Sequence, residues 1–194
     1  MGYSLSWLAI KGKTPQVLLE ELGFRATGKH EEVPEADHSA VELPNGRYLI
    51  VSNRTEQVAP DSTMRRLSSS GCELVTCFVE EHVMCSHATG WKNGCKCWSV
   101  IHDAQRGIEH LDTEGDLPLI FGSIRDRLLL EQQDGSADYI FDIPVEVAKS
   151  LTGYRHNLDI PGASKEPFEV LICAVAERGA RPQGLSFWKR FFRA

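Results

Sequence analysis

The chain has 194 residues, 42% of them hydrophobic and 25% charged, with a formal net charge of −6. That length and composition suit one domain, residues 1–194, able to bury a core without disulfides. The acidic balance argues against a general phosphate-backbone binder, so no nucleic-acid partner is expected.

Residues 3–10 mix aromatic, serine and aliphatic side chains and predict a first strand. The opening MGYSLSWLAIKGK has no charged segment followed by a long apolar run, so it does not read as a signal peptide. Residues 14–23, TPQVLLEELG, predict a helix, with Thr14 as N-cap, Pro15 at the first position and Gly23 as a left-handed stop. Residues 29–39 read as a polar loop. Residues 41–51 predict a hairpin around Asn45-Gly46. Pro60-Asp61 opens a short helical stretch that Gly71 closes. A central hairpin over residues 72–103 follows, and then a further strand at 107–111.

Asp116 is placed to cap a long helix ending near residue 133, in which Ile120, Ile124 and Leu128 recur at four-residue spacing. A short strand at 139–141 and a last helix, opened by Asp142-Ile143-Pro144 and stopped by Gly153, come next. Residues 157–166 read as loop, and 168–175 as a buried strand. Consecutive strands are joined mostly by short turns. The order therefore predicts an α+β fold, a largely antiparallel sheet with three to five helices packed on it. No apolar stretch approaches the roughly 20 residues of a membrane helix, so no integral membrane segment is expected.

The central hairpin holds five of the six cysteines. Cys85, His87, Cys95 and Cys97 offer three thiolates and an imidazole, a donor set that suits zinc. A three-residue loop, Lys92-Asn93-Gly94, would put all four on one face. A two-residue Asn93-Gly94 turn would pair Lys92 with Cys95 and Cys85 with His102. It divides the set, because a one-residue slip inverts every side chain. Asn-Gly is the stronger two-residue signal and favours the divided register. It also predicts a core patch of Val83, Cys85, Trp98 and Val100. No cofactor is then expected, zinc being the alternative, and Cys72, Cys77 and Cys173 read as core residues. In a cytoplasmic location, the expected one, thiols stay reduced.

His82, His87, His102 and His110 lie on neighbouring segments, and folding would gather them. An enzyme built from His82, His102, Asp103 and His110 is one reading, with His102 and His110 as its catalytic candidates. Adjacent His102 and Asp103 point to opposite faces of a strand and cannot serve each other directly. No nucleophile elbow, phosphate loop or dinucleotide fingerprint is present. At the C-terminus, Phe187, Trp188, Phe191 and Phe192 alternate with basic residues over 187–192, a segment suited to docking on a membrane surface or a partner, or to packing on its own core or a second copy.

The residues EEHVM, GW, WSVIHDAQRGIEHL and later DYIFDIPVEVAKSLTGYRH together resemble a family of small bacterial proteins with no assigned activity. The likeness runs from YSLSWLAIKGK over most of the chain. It implies a single cytoplasmic domain, supplies no catalytic residues, and implies that the cysteines are dispensable. The expected function is non-catalytic binding, of another protein or of a second copy through the 187–192 tail, and immunity-like toxin neutralisation belongs to that class. A small His/Asp enzyme and a zinc-stabilised domain are the alternatives.

Overall fold

A computed structural model describes residues 2–69, 71–132 and 138–174. Its elements are β1 (Ser4–Lys11), α1 (Pro15–Leu22), β2 (Phe24–Glu31), β3 (His38–Glu42), β4 (Tyr48–Asn53), α2 (Asp61–Leu67) and β5 (Glu73–Glu80). They continue as β6 (Cys85–Lys92), β7 (Cys95–Asp103), β8 (Asp112–Gly115), α3 (Phe121–Gln132), α4 (Asp142–Thr152) and β9 (Phe168–Cys173). The nine strands form one antiparallel sheet in the order β2-β9-β3-β4-β1-β5-β6-β7-β8.

β1 lies at the centre of the sheet and is buried on both faces, which is why it reads as a nearly unbroken apolar run. Leu5, Trp7 and Ala9 point to one face, where they meet Leu49, Val51, Val75, Cys77, Ala88, Trp98 and Val100. Phe121, Ile124 and Leu128 of α3 and Ile143, Val147 and Ala148 of α4 cover that face. Leu8 and Ile10 point to the other face, under Leu18 and Leu19 of α1 and Met64 and Leu67 of α2. The sheet is thus clothed on both sides, two helices to a side. Fully removing a Leu or Ile side chain from water stabilises the fold by about 1.5–3 kcal/mol relative to leaving it exposed.

Local signals hold where the chain makes its own turns. Thr14 accepts the amide of Val17, and Gly23 stops α1 at φ 73°. Asn93 (φ 53°) and Gly94 (φ 74°) make the tight β6–β7 turn, pairing Lys92 with Cys95. Gly153 ends α4 at φ 76°.

Several expectations are corrected. Residues 29–39 are not simply loop, because Phe24–Glu31 forms β2 against β9. β2 shows little apolar alternation, being an exposed edge strand, so its pairing and not its side chains defines it. The strand expected at 107–111 is a turn, and Asp112–Gly115 is the strand instead. The strand expected at 139–141 is absent, because those residues turn into α4. Pro118 disfavours helical backbone at Leu117, and α3 begins at Phe121 rather than at Asp116. Cys173 is exposed rather than core, while Cys72 and Cys77 are buried as expected. The 187–192 tail and residue 175 lie outside the described residues.

Candidate functional site

The β6–β7 hairpin sets the position of nearly every chemically interesting side chain. Its turn has two residues, but the register shifts one step further on: Trp91 pairs with Lys96 and Gly90 with Trp98. Cys97 is the extra residue of this bulge, and beyond it Cys85 pairs with Asp103 rather than with His102. The bulge therefore overturns the expected patch of Cys85 with Trp98 and Val100. Trp98 and Val100 pack beside Ala88 on the α3–α4 face, and Cys85 stays on the other.

The candidate zinc ligands are divided accordingly. Cys85 and His87 share the α1–α2 side of the sheet with Thr89 and Trp91. Cys97 packs against the opposite core, and Cys95 stands exposed at the hairpin tip. Among the described residues, no three His, Cys, Asp or Glu side chains gather as a metal site. Burial pushes the Cys85 thiol up to about 12, with Asp103, Glu56 and Glu80 adding to the shift, so its sulfur stays protonated.

The catalytic candidates are brought together but are already engaged. His102 is fully buried; its Nδ1–H donates to the carbonyl of His110 at 2.7 Å, and its Nε2 shares a hydrogen with Asp138 Oδ2 at 3.1 Å. His110 Nδ1 accepts the amide of Asp103 at 3.0 Å, and its Nε2–H donates to Asp112 Oδ2 at 3.0 Å. All four ring nitrogens have partners within the fold. His82 lies apart from them, exposed in the β5–β6 turn, where its ring pairs with Glu80 at 2.7 Å. Asp103 caps its own turn by accepting the Gln105 amide. This set is a structural clasp that ties β7 to the segment before α4.

Of the histidines singled out in the sequence, His87 is the one with no hydrogen-bond partner among the described residues. It projects from β6 into a cavity of about 210 Å³ between the sheet, α2 and residues 56–59. Across the sheet its row runs Ser6, Phe78, His87, Ile101. The next row carries Thr76 and Thr89, whose hydroxyls lie 2.6 Å apart, and the Trp91 Nε1–H donates to Thr89 Oγ1 at 2.9 Å. Ser6 also lines the cavity, and its Oγ is wholly buried with no hydrogen-bond partner among the described residues. Neither ring nitrogen of His87 has one among the described residues. Glu56, Asp61 and Lys96 stand around the mouth, exposed on their outer sides.

Burial lowers the His87 pKa to about 4, Lys96 adds to the lowering, and Asp61 opposes it. The imidazole is therefore neutral near pH 7, holding one N–H and one lone pair. In the unfolded chain it protonates near 6.5, in the folded chain only near 4, so acid favours unfolding. We expect this ring to contribute a stability loss that starts below about pH 6.5 and reaches about 2 kcal/mol by pH 4, after discounting for its residual exposure. Urea titrations at stepped pH check this, and His87→Gln should flatten the curve across that window. An unchanged curve would show that the ring does not lose its proton on folding.

Sequence reasoning placed His87 among the zinc ligands and the gathered histidines, and missed Ser6 altogether. Their one legible signal was polarity: each interrupts an apolar strand at a position that the pleat turns inward. No protein-family model matches the chain, and no curated protein or solved structure matches it either. Among the described residues, no helix is long and apolar enough to cross a membrane.

Proposed function

We propose that this chain is a cytoplasmic α+β binding domain that holds a small molecule in the His87 cavity without transforming it. The observation that carries this reading is the His87 ring, which has no hydrogen-bond partner among the described residues and stands at the wall of a cavity. An unsatisfied buried polar group costs about 1–3 kcal/mol, and a bound molecule that hydrogen-bonds it recovers that cost. Trp91, Met64 and Phe78 give the cavity apolar wall, and polar side chains beside them can orient a guest, as in ligand sites. The sheet-dominated arrangement, with its helices outside, supports the α+β class. Six free thiols support a reducing compartment.

Binding is favoured over catalysis by proton chemistry. His102 and His110 have no ring nitrogen to spare. His87, with its basicity lowered to about 4, is a weak proton acceptor near neutral pH. A neutral amphipathic probe, 4-ethylphenol, tests the site. Its titration should give saturable amide shifts at Ser6, Thr76, His87 and Thr89 in a nitrogen–proton correlation spectrum. The absence of shifts at these positions would overturn the reading.

A protein partner, the class expected from the sequence, is a second reading with one observation in its favour. Leu119, Ile120, Leu129 and Leu130 stand exposed on and just before α3. Sedimentation of the full chain as a monomer at all concentrations would remove self-association from it.

A further inference from the structure

The cavity and its mouth differ in chemistry, and the difference specifies a ligand. The interior is apolar on Phe78, Trp91, Met64 and Ile101, and the His87 ring enters it with no hydrogen-bond partner among the described residues. Charges are confined to the mouth. Glu56 and Asp61 lie on the segment that roofs the sheet, and Lys96 rises from the strand opposite. No cation pairs with Glu56 or Asp61 among the described residues. Lys96 has only a loose contact, 3.7 Å to Glu114, and can turn toward a guest.

A simple cation at this mouth would meet Lys96, and a simple anion would meet two carboxylates. A molecule bearing both signs satisfies both sides. Its remaining body must be apolar enough for Trp91 and Phe78, yet end in a group that hydrogen-bonds His87. The volume lies below the roughly 300 Å³ at which sites for drug-sized ligands begin, so the guest is small.

Resting on the reading of this cavity as the binding site, we propose that its ligand is an amino-acid-sized zwitterion. The ammonium faces Glu56 and Asp61, the carboxylate faces Lys96, and a hydroxyl at the inner end of an apolar body meets His87. A neutral imidazole donates from one nitrogen and accepts at the other, so His87 can bond an inner hydroxyl in either sense. Sites that hydrogen-bond a ligand hydroxyl discriminate strongly against the analogue lacking it, because their own polar groups are left unpaired.

Calorimetric and spectral titrations of the full chain with five probes test this: L-tyrosine, L-phenylalanine, N-acetyl-L-tyrosine, L-tyrosine methyl ester and 4-ethylphenol. L-tyrosine should bind saturably, and each of the other three amino-acid probes should bind about tenfold more weakly or worse, one charge-assisted or buried hydrogen bond being lost in each. Glu56→Gln should weaken L-tyrosine but leave N-acetyl-L-tyrosine unchanged. Lys96→Gln should weaken L-tyrosine but leave the methyl ester unchanged. His87→Phe should erase most of the preference for L-tyrosine over L-phenylalanine, because it removes the group that the inner hydroxyl bonds. If the capped probes bind as well as L-tyrosine, or if 4-ethylphenol fills the cavity and L-tyrosine does not, the zwitterion falls and the cavity reading stands. If no probe shifts the cavity amides, both fall.

Discussion

Replacing Asp138 by alanine is expected to destabilise the fold by about 3–5 kcal/mol, the cost of removing one partner from a buried, hydrogen-bonded pair. Asp138 reaches His102 Nε2 with one carboxylate oxygen, and the other accepts the amide of Phe141 at the entry to α4. The imidazole has no alternative partner: it is fully buried, edge-on to Phe141, and its other nitrogen is held by the His110 carbonyl. Alanine therefore strands a buried ring nitrogen and releases the start of a helix that covers much of one core face. Asparagine keeps an acceptor of the same shape, so Asp138→Asn should lose clearly less. Urea denaturation of the two variants measures the difference. Equal losses, or a loss within about 0.5 kcal/mol of zero for alanine, the range of ordinary surface substitutions, would show that the clasp is not structural.

Gly90→Ala is expected to cost about 3 kcal/mol, at the upper end for overpacking a well-filled core. Gly90 sits in mid-strand opposite Trp98, whose indole lies flat across it. A Cβ at residue 90 would stand 2.0 Å from Trp98 Nε1 and 2.3 Å from Cε2. The ring is a rigid plane nearly buried against the α3–α4 core, so it yields only by leaving its place. The loss should shrink when residue 98 is made small. In a double-mutant cycle, Gly90→Ala in a Trp98→Leu background should be tolerated far better than in the parent chain. Additive effects of the two substitutions would place the indole elsewhere.

The elements legible in the sequence were those whose signals are local. Thr14, Pro15 and Gly23 bracket α1 by capping chemistry contained in ten residues. Asn93-Gly94 made its turn because both residues tolerate positive φ. β2 was hidden because an exposed edge strand needs no apolar alternation; its partner, β9, comes more than 130 residues later. The clasp was half legible. His102 and His110 were singled out, but Asp138, which engages His102 from beyond α3, carries no signal of its own.

The sequence alone determined the helix caps, the hairpin turns, a largely antiparallel arrangement and the apolar central strand, since each follows from residues near one another in the chain. The tertiary structure decided which way the hairpin side chains face. Cys97 adds one unpaired residue to β7, and with a side-chain period of two, that single residue sends Trp98 into one core and leaves His87 facing the other side. It also made the cavity, because Ser6, His87 and Lys96 become neighbours only when β1, β6 and β7 lie in one sheet under residues 56–59 and α2.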